Sequence, residues 1–385
     1  MRVRIEDRAA FADAARGVAR LLASGPVDPV LAGAVVHAED DGLTLSGFDH
    51  DTATRLHLPA QVPEPGRVLV SARLLSEIAR LLPRQAIDLA ADEQQVTITA
   101  GGSRATLPLL PIEDYPAVPE APEVIGETDA AVFATAVAKV TSAAGSDETV
   151  PQFSGVAVDL PAPGEPLRLY ATDRYRLARA VVAWQPTLDT EVEPRRLFVP
   201  AWQLRDAAEL LTAGPDTVRL SAGPVPGRVG LSNGQRTIVL AEIDTRTPDY
   251  EHHMNIESSG EFTVPVGELA GAVKRLALHK EHPGAHLAIE ENTLRLSISS
   301  SAGHSSETLA IDYAGELVET TINTSYLASA LHALGTDLTR ISIPTRPTHR
   351  PWIFQPVGDT EPDGSCFRYV VMPIRPPAAE QHAAA

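Results

Sequence analysis

The chain has 385 residues, 44% of them hydrophobic, with 32 basic against 50 acidic side chains and a formal net charge of −18. That length supplies two or three domains with cores of their own, and the single cysteine, Cys366, excludes an intrachain disulfide and a cysteine-built zinc site. No apolar run approaches the roughly 20 residues of a membrane helix and no secretory pattern opens the chain, so a soluble cytoplasmic protein is expected; the acidic balance, taken alone, argues against a general nucleic-acid binder.

The first element is a helix around "FADAARGV", Phe11–Val18. Phe11, Ala15 and Val18 share a stripe within about 40°, whereas Arg16 and Arg20 fall about 140° and 180° away. The stretch "LTLSGFD" from Leu43 alternates leucines with period two, the mark of a half-buried strand. A second helix follows in "VSARLLSEIARLL", Val70–Leu82. Leu75, Ile78, Ala79 and Leu82 form its stripe, and Arg73 and Arg80 point away. The Pro-bearing polar segment "EDYPAVPEAPE" then reads as a linker.

The same order returns twice. "FATAVAKV", Phe133–Val140, puts Val137 and Val140 on the face of Phe133 and Lys139 opposite. "LRLYATD" from Leu167 is the strand, "VPAWQLRDAAELL" (Val199–Leu211) the second helix, and "TPDYEHHMN" the linker. In the third round "LAGAVKRL", Leu269–Leu276, sets Val273 and Leu276 beside Leu269, with Lys274 and Arg275 opposite. "LRLSISS" from Leu294 and "INTSYLASALHAL" (Ile322–Leu334) follow, the last helix carrying no Lys or Arg. The tail "PPAAEQHAAA" reads as disordered.

Three rounds in 385 residues give about 128 residues each, domain-sized and too long for a solenoid repeat. The chain is therefore expected to be α+β, with three tandem domains of common ancestry over residues 1–123, 124–254 and 255–378 and a disordered tail over 379–385. Any amphipathic helix shows charge to water. Here, however, the background is acidic, and two of only three lysines, Lys139 and Lys274, sit on equivalent helix faces (the third is Lys280). Six such domains with these helices turned inward would be acidic outside and basic within, a surface that holds a polyanion weakly.

No nucleotide-binding, serine-hydrolase or zinc-protease signature is present. "HKEHPGAH" gathers His279, His282 and His286 around Glu281, so a metallohydrolase is the rival of enzyme class, although Pro283 breaks the ligand spacing. A peptide-binding scaffold that binds no DNA is the other rival.

The pair "LYATDRYRLA" (Leu169–Ala178) and "YVVMPIR" (Tyr369–Arg375) resembles the bacterial sliding clamp family, the ring-forming processivity factors of the replicative DNA polymerase. "FSGVAV" (Phe153–Val158), "VP" (Val199–Pro200), "PDY" (Pro248–Tyr250) and "NTSYL" (Asn323–Leu327) match that family in the same order over essentially the whole chain. The resemblance implies a head-to-tail homodimeric ring, helices lining the hole and antiparallel sheets outside, with double-stranded DNA passing through. It implies no catalysis, no cofactor, no membrane and a cytoplasmic, nucleoid-associated place. The partners it implies are the replicative DNA polymerase, the clamp loader and other proteins bearing short clamp-binding peptides.

The resemblance also implies a peptide pocket between the second and third domains. Its walls would be Phe153, Thr172, Tyr175, Arg176, Leu177, Pro248, Asn323, Tyr326 and the terminal Val370, Val371, Met372, Pro373, Ile374 and Arg375, an apolar surface with backbone free to pair with an extended peptide. Arg16, Arg20, Arg73, Arg80, Lys139, Lys274 and Arg275 would face the DNA. Four places depart from the family pattern: Gly25 stands where many clamps have a basic residue, Glu251, His252 and His253 follow "PDY", Pro344–Phe354 is one residue longer, and Pro376 and Pro377 follow "MPIR". Three of these touch the expected pocket, which points to an altered peptide preference or a specialised second clamp insensitive to a pocket-binding inhibitor.

Overall fold

The computed structural model describes residues 1–22, 28–147, 149–162, 164–187, 195–225, 227–279, 281, 283–301, 303–358 and 367–375. Gly25, Lys280, His282, Cys366, Pro376, Pro377 and the tail 379–385 lie outside the described residues. The six long helices are those expected from periodicity: α1 (Arg8–Leu21), α2 (Ala72–Leu81), α3 (Ala130–Thr141), then, after the single turn α4 (Pro151–Ser154), α5 (Ala201–Leu211). Beyond the short α6 (Tyr250–Met254) come α7 (Val266–Leu276) and α8 (Thr324–Leu334). Asp7, Ser71, Asp129 and Asn323 cap α1, α2, α3 and α8 by accepting backbone N–H groups of the first turn. Gly335 ends α8 at a φ of 63°, a left-handed conformation that suits glycine. No helix among the described residues is long and apolar enough to cross a membrane.

The leading residue of the repeated motif is buried each time, as Phe11, Phe133 and Leu269. The residue seven positions on, Val18, Val140 or Leu276, is buried with it. Both face the antiparallel sheets, so the helices form one layer and the strands the other. Each domain builds two strand groups. One contains the strand entering the first helix and the three strands after the second helix, joined in the first two domains by a short strand, Gln61–Glu64 or Gln185–Pro186; the other contains the remaining strands between the helices.

The domains are not separate beads. The last strand of the second domain, Arg236–Ala241, pairs antiparallel with Thr52–Leu58 of the first, in the register Arg236↔Leu56 to Leu240↔Thr52. The last strand of the third, Phe367–Val371, pairs with Arg176–Val182 of the second, in the register Arg176↔Val371 to Ala180↔Phe367. These unions make one sheet of nine strands and one of eight, and leave a five-stranded sheet at one end and a four-stranded sheet at the other. The strands in the equivalent positions there, Ser103–Pro108 and Gly303–Ala310, are sheet edges.

The helices meet across the same boundaries, α1 against α5 and α3 against α8. Gly17 allows the first approach: a Cβ there would lie 2.8 Å from Leu210 Cδ1 and 3.0 Å from Leu56 Cδ1. The two linkers, read from sequence as polar punctuation, each plant a tyrosine in the protein. Tyr115 is buried with Val35, Phe48, Leu69 and Val239, its hydroxyl accepting from the Phe48 N–H at 2.6 Å. Tyr250 is buried with Leu177 and Val370 and stacks on Tyr170, ring centroids 5.1 Å apart.

Candidate functional site

The basic side chains of the helix layer fall into two groups once their partners are known. Arg16 is held by Asp13 at 2.5 Å, and Asp13 also takes Arg236 at 2.8 Å. Burial would raise the Asp13 pKa, but the hydrogen bonds from Arg16 and Arg236 outweigh it and hold the carboxyl below its ordinary value. Arg20 crosses the first domain boundary as a two-pronged bond to Asp206, at 2.8 and 2.6 Å, with Glu209 at 2.8 Å. Arg73 pairs with Glu77 one turn on, and Arg275 grips Glu307 with two bonds of 2.7 Å. The hydrogen bond from Arg275 keeps the Glu307 carboxyl below its usual pKa.

Lys139 is half-buried, its ammonium 4.9 Å from the Phe367 ring centroid at the second boundary. Arg80 and Lys274 are exposed, and their charged groups have no hydrogen-bond or ion-pair partner among the described residues. Of the seven residues expected to face DNA, four are therefore internally neutralised, one is drawn into a domain boundary and two are free.

The second region lies where Phe367–Val371 joins the middle domain. The turn after Leu167–Thr172 is fixed by Asp173, whose Oδ1 accepts from the N–H groups of Tyr175 at 3.0 Å and Arg176 at 2.8 Å. Its Oδ2 takes the Arg176 guanidinium at 2.8 Å, which holds that group 4.7 Å from the Tyr326 ring centroid. Thr172 donates its hydroxyl to the Arg176 carbonyl at 2.5 Å. Arg174, at a φ of 82°, turns its guanidinium over Phe153 at 4.6 Å. Tyr175 is half exposed and stacks on Tyr326 at 5.9 Å. The terminal segment docks on both domains: Met372 N–H donates to the Tyr175 carbonyl at 2.8 Å, and Ile374 N–H to that of Thr321 at 2.7 Å. Asn323 caps α8 beside Tyr326, and Ile374 presses on Gly284.

Thr172, Leu177, Val370, Val371 and Pro373 are buried, whereas Tyr175, Ile374 and Arg375 are exposed along the junction. Pro248 sits on the outer side, its carbonyl accepting from Arg196 at 3.1 Å, and leads into α6, whose Tyr250 and Met254 pack on Leu177 and Val370. Glu251 accepts from the Tyr170 hydroxyl and pairs with Arg179 at 3.6 Å. Burial first, then that hydrogen bond, pushes the Tyr170 pKa up. His252 and His253 remain exposed, edge to face at 5.4 Å. The expected wall residues thus share one junction, with Phe153 and Pro248 on its flanks.

His279 turns its Nδ1 to the Ser300 hydroxyl at 2.9 Å and its Nε2 to Ser305 at 2.7 Å. His286 lies 3.8 Å from Glu319, and no three His, Cys, Asp or Glu among the described residues gather to hold a metal. Sequence reasoning missed the carboxylates that answer the arginines. Asp13 and Glu77 are signalled by their spacing of three and four residues from Arg16 and Arg73. Asp206 and Glu307 belong to other elements and carry no such signal.

Three family models match in chain order: the DNA polymerase III beta subunit N-terminal domain over residues 1–119, the central domain over 127–249 and the C-terminal domain over 256–375. The chain is 33% identical over 379 residues to the beta sliding clamp of Streptomyces coelicolor, covering 97% of this chain and 99% of that one. It is also 33% identical over 378 residues to the beta sliding clamp homolog GriR of Streptomyces muensis, with coverage of 97% and 99%. The crystal structure of a DnaN sliding clamp from Pseudomonas aeruginosa bound to griselimycin matches with a TM-score of 0.86 and 25% identity, over 98% of this chain and all of that one. With three clamp domains in order and relatives aligned from end to end, the chain belongs to the DNA polymerase III beta-subunit family, the bacterial sliding clamps, which are non-catalytic processivity factors of DNA replication.

Proposed function

We propose that two copies close head to tail into a ring around duplex DNA, and that the junction of the second and third domains takes the short peptides of the polymerase, the clamp loader and other partners. One observation carries the ring: a pairing rule used twice and left open once. At both internal boundaries the last strand of one domain joins the third inter-helix strand of the domain before it. The two strands still waiting for that partner are Ser103–Pro108 and Gly303–Ala310. Joining them between chains would unite the five- and four-stranded sheets into a third composite sheet, and repeating the contact closes the assembly.

The helices support the same closure. α2 packs beside Ser103–Pro108 and α7 beside Gly303–Ala310, as α5 and α1 pack beside the strands of the first internal boundary. Leu74 and Leu81 on α2, and Leu278 just after α7, are exposed apolar side chains of the kind a partner would cover. In this ring Arg16, Arg20, Arg73, Arg80, Lys139, Lys274 and Arg275 belong to the lumen side, and retention on DNA comes from topology. The decisive experiment loads the chain on nicked circular DNA with a clamp loader and then linearises the circle. Release on linearisation is expected; equal retention before and after cutting would overturn the ring.

A further inference from the structure

We propose that each closure of the ring holds a phosphate-binding crevice built by two chains, Arg80 of one and Lys274 of the other, and that DNA in the lumen tightens the ring there. The inference rests on the head-to-tail reading above. It begins with the crevice at the first internal boundary, where Arg16, Gly17, Arg20 and Leu21 of α1 face Asp206, Glu209 and Leu210 of α5. Its charges are balanced, and Arg20 ties both acids at 2.6 and 2.8 Å.

The repeats carry these positions to the two open ends. Counted from Phe11 and Leu269, Arg16 becomes Lys274, Gly17 becomes Arg275 and Arg20 becomes Leu278. Counted from Val199 and Val70, Asp206 becomes Glu77, Glu209 becomes Arg80 and Leu210 becomes Leu81. The crevice at the closure therefore loses the tie that Arg20 makes and exchanges one of its two acids for a base. The remaining acid, Glu77, is engaged by Arg73 at 3.1 Å, and Arg275 is engaged by Glu307 at 2.7 Å, each within its own domain. Arg80 and Lys274 are left exposed and unpaired. Arg8 adds a further cation by donating to the Arg80 carbonyl. Leu81 and Leu278, 70% and 77% exposed, supply the apolar share of the contact.

Closing the ring thus brings two unanswered positive charges from different chains together on the face that looks at a polyanion. Without an anion they repel; with a phosphate between them each is satisfied. The coupling is reciprocal, so whatever DNA gains from the closed crevice, the dimer gains from DNA.

Sedimentation of the full chain, with and without a short blunt DNA duplex, reads the coupling directly. The wild-type dimer dissociation constant is expected to fall when the duplex is present. Arg80→Gln and Lys274→Gln should each lower the slope of log affinity against log salt by about 1.8, from about 0.9 per phosphate contact at two closures. Arg80→Glu, which restores the acid of the internal boundary, should tighten the DNA-free dimer and abolish tightening by DNA, a pair of opposite effects that a merely structural role does not give. A wild-type dissociation constant that ignores the duplex, or a salt slope unmoved by both glutamine variants, overturns the crevice while leaving the ring intact. A chain that stays monomeric at every concentration overturns the ring itself, and the crevice with it.

Discussion

The two internal boundaries share one backbone plan and differ in everything the side chains do. At each, five residue pairs of antiparallel strand join neighbouring domains, and two helices meet above the seam. At the first boundary that meeting is ionic: Arg20 on Asp206 and Glu209, Arg236 on Asp13, with Gly17 letting Leu210 in between. At the second, the position of Arg20 is held by Ser142, that of Gly17 by Lys139, and the seam is aromatic. Lys139 lies over Phe367, and the Tyr369 hydroxyl donates to the Ser142 carbonyl at 3.4 Å. The linkers differ in the same way, Tyr115 being hydrogen-bonded and Tyr250 stacked. Strand pairing thus carries the architecture, and the helix and linker contacts are free to specialise. The second boundary has used that freedom for aromatic contacts, where the last strand and the turn at Asp173 converge.

The sharpest way to break this contrast is to delete one polar group from each seam. Asp206 is almost wholly buried, its side chain 8% exposed, and answers both Arg20 and Arg205. Asp206→Ala should destabilise the protein by about 2 kcal/mol, the loss of its charge-assisted hydrogen bonds, since the Arg20 left behind is one-third exposed and keeps Glu209. Ser142→Ala removes a hydroxyl that donates only to the Lys139 carbonyl at 2.6 Å, while the bond from Tyr369 uses the backbone and survives, so a change within about 0.5 kcal/mol is expected. Urea midpoints of the two variants decide it; equal losses would mean that the seams are not chemically distinct.

The linker tyrosines give the next largest effect. Tyr115→Phe strips the acceptor from the buried Phe48 N–H and should cost about 1–3 kcal/mol. Tyr250→Phe should cost almost nothing, because its hydroxyl is buried without a hydrogen-bond partner among the described residues. Burial drives the pKa of both phenols up to about 12, so neither loss should vary between neutral pH and mild alkali. Thermal unfolding of the two variants side by side tests the pair, and a Tyr250→Phe loss as large as that of Tyr115→Phe would remove the distinction.

Much of this plan was legible in the sequence because it is written in local periods. The stripes of Phe11, Phe133 and Leu269 fix all three first helices, and the alternating leucines from Leu43, Leu167 and Leu294 fix the middle strands. Period two says that a strand has a buried face, not which strand lies beside it, so the unions of Arg236–Ala241 with Thr52–Leu58 and of Phe367–Val371 with Arg176–Val182 were not readable. The same limit applies to charge. The helical angle places Arg20 on the polar face but cannot show that Asp206, 186 residues away, already occupies it. At the second boundary, an aspartate after a strand is the residue type that satisfies turn amides, as Asp173 does, whereas the stack of Tyr175 on Tyr326 depends on two domains meeting.

The smallest effect expected is in acid, and it separates the ionic seam from the aromatic one by titration. Asp13 is held below its ordinary pKa of 3.8 by Arg16 and Arg236. A depressed native pKa means that the unfolded chain takes up the proton first as pH falls. The stability Asp13 contributes is therefore fully present above about pH 4 and is lost as pH drops from there through the native value. Asp13→Asn should melt earlier than the wild type at pH 5 and approach it as the pH is taken towards 3. Because Lys139 over Phe367 has no carboxylate to protonate, Lys139→Met should show a constant difference from the wild type over the same range. If the Asp13→Asn gap stays constant as well, the Asp13 carboxylate does not help close the first seam, which then rests on Arg20 with Asp206 and Glu209 and on the close approach that Gly17 allows.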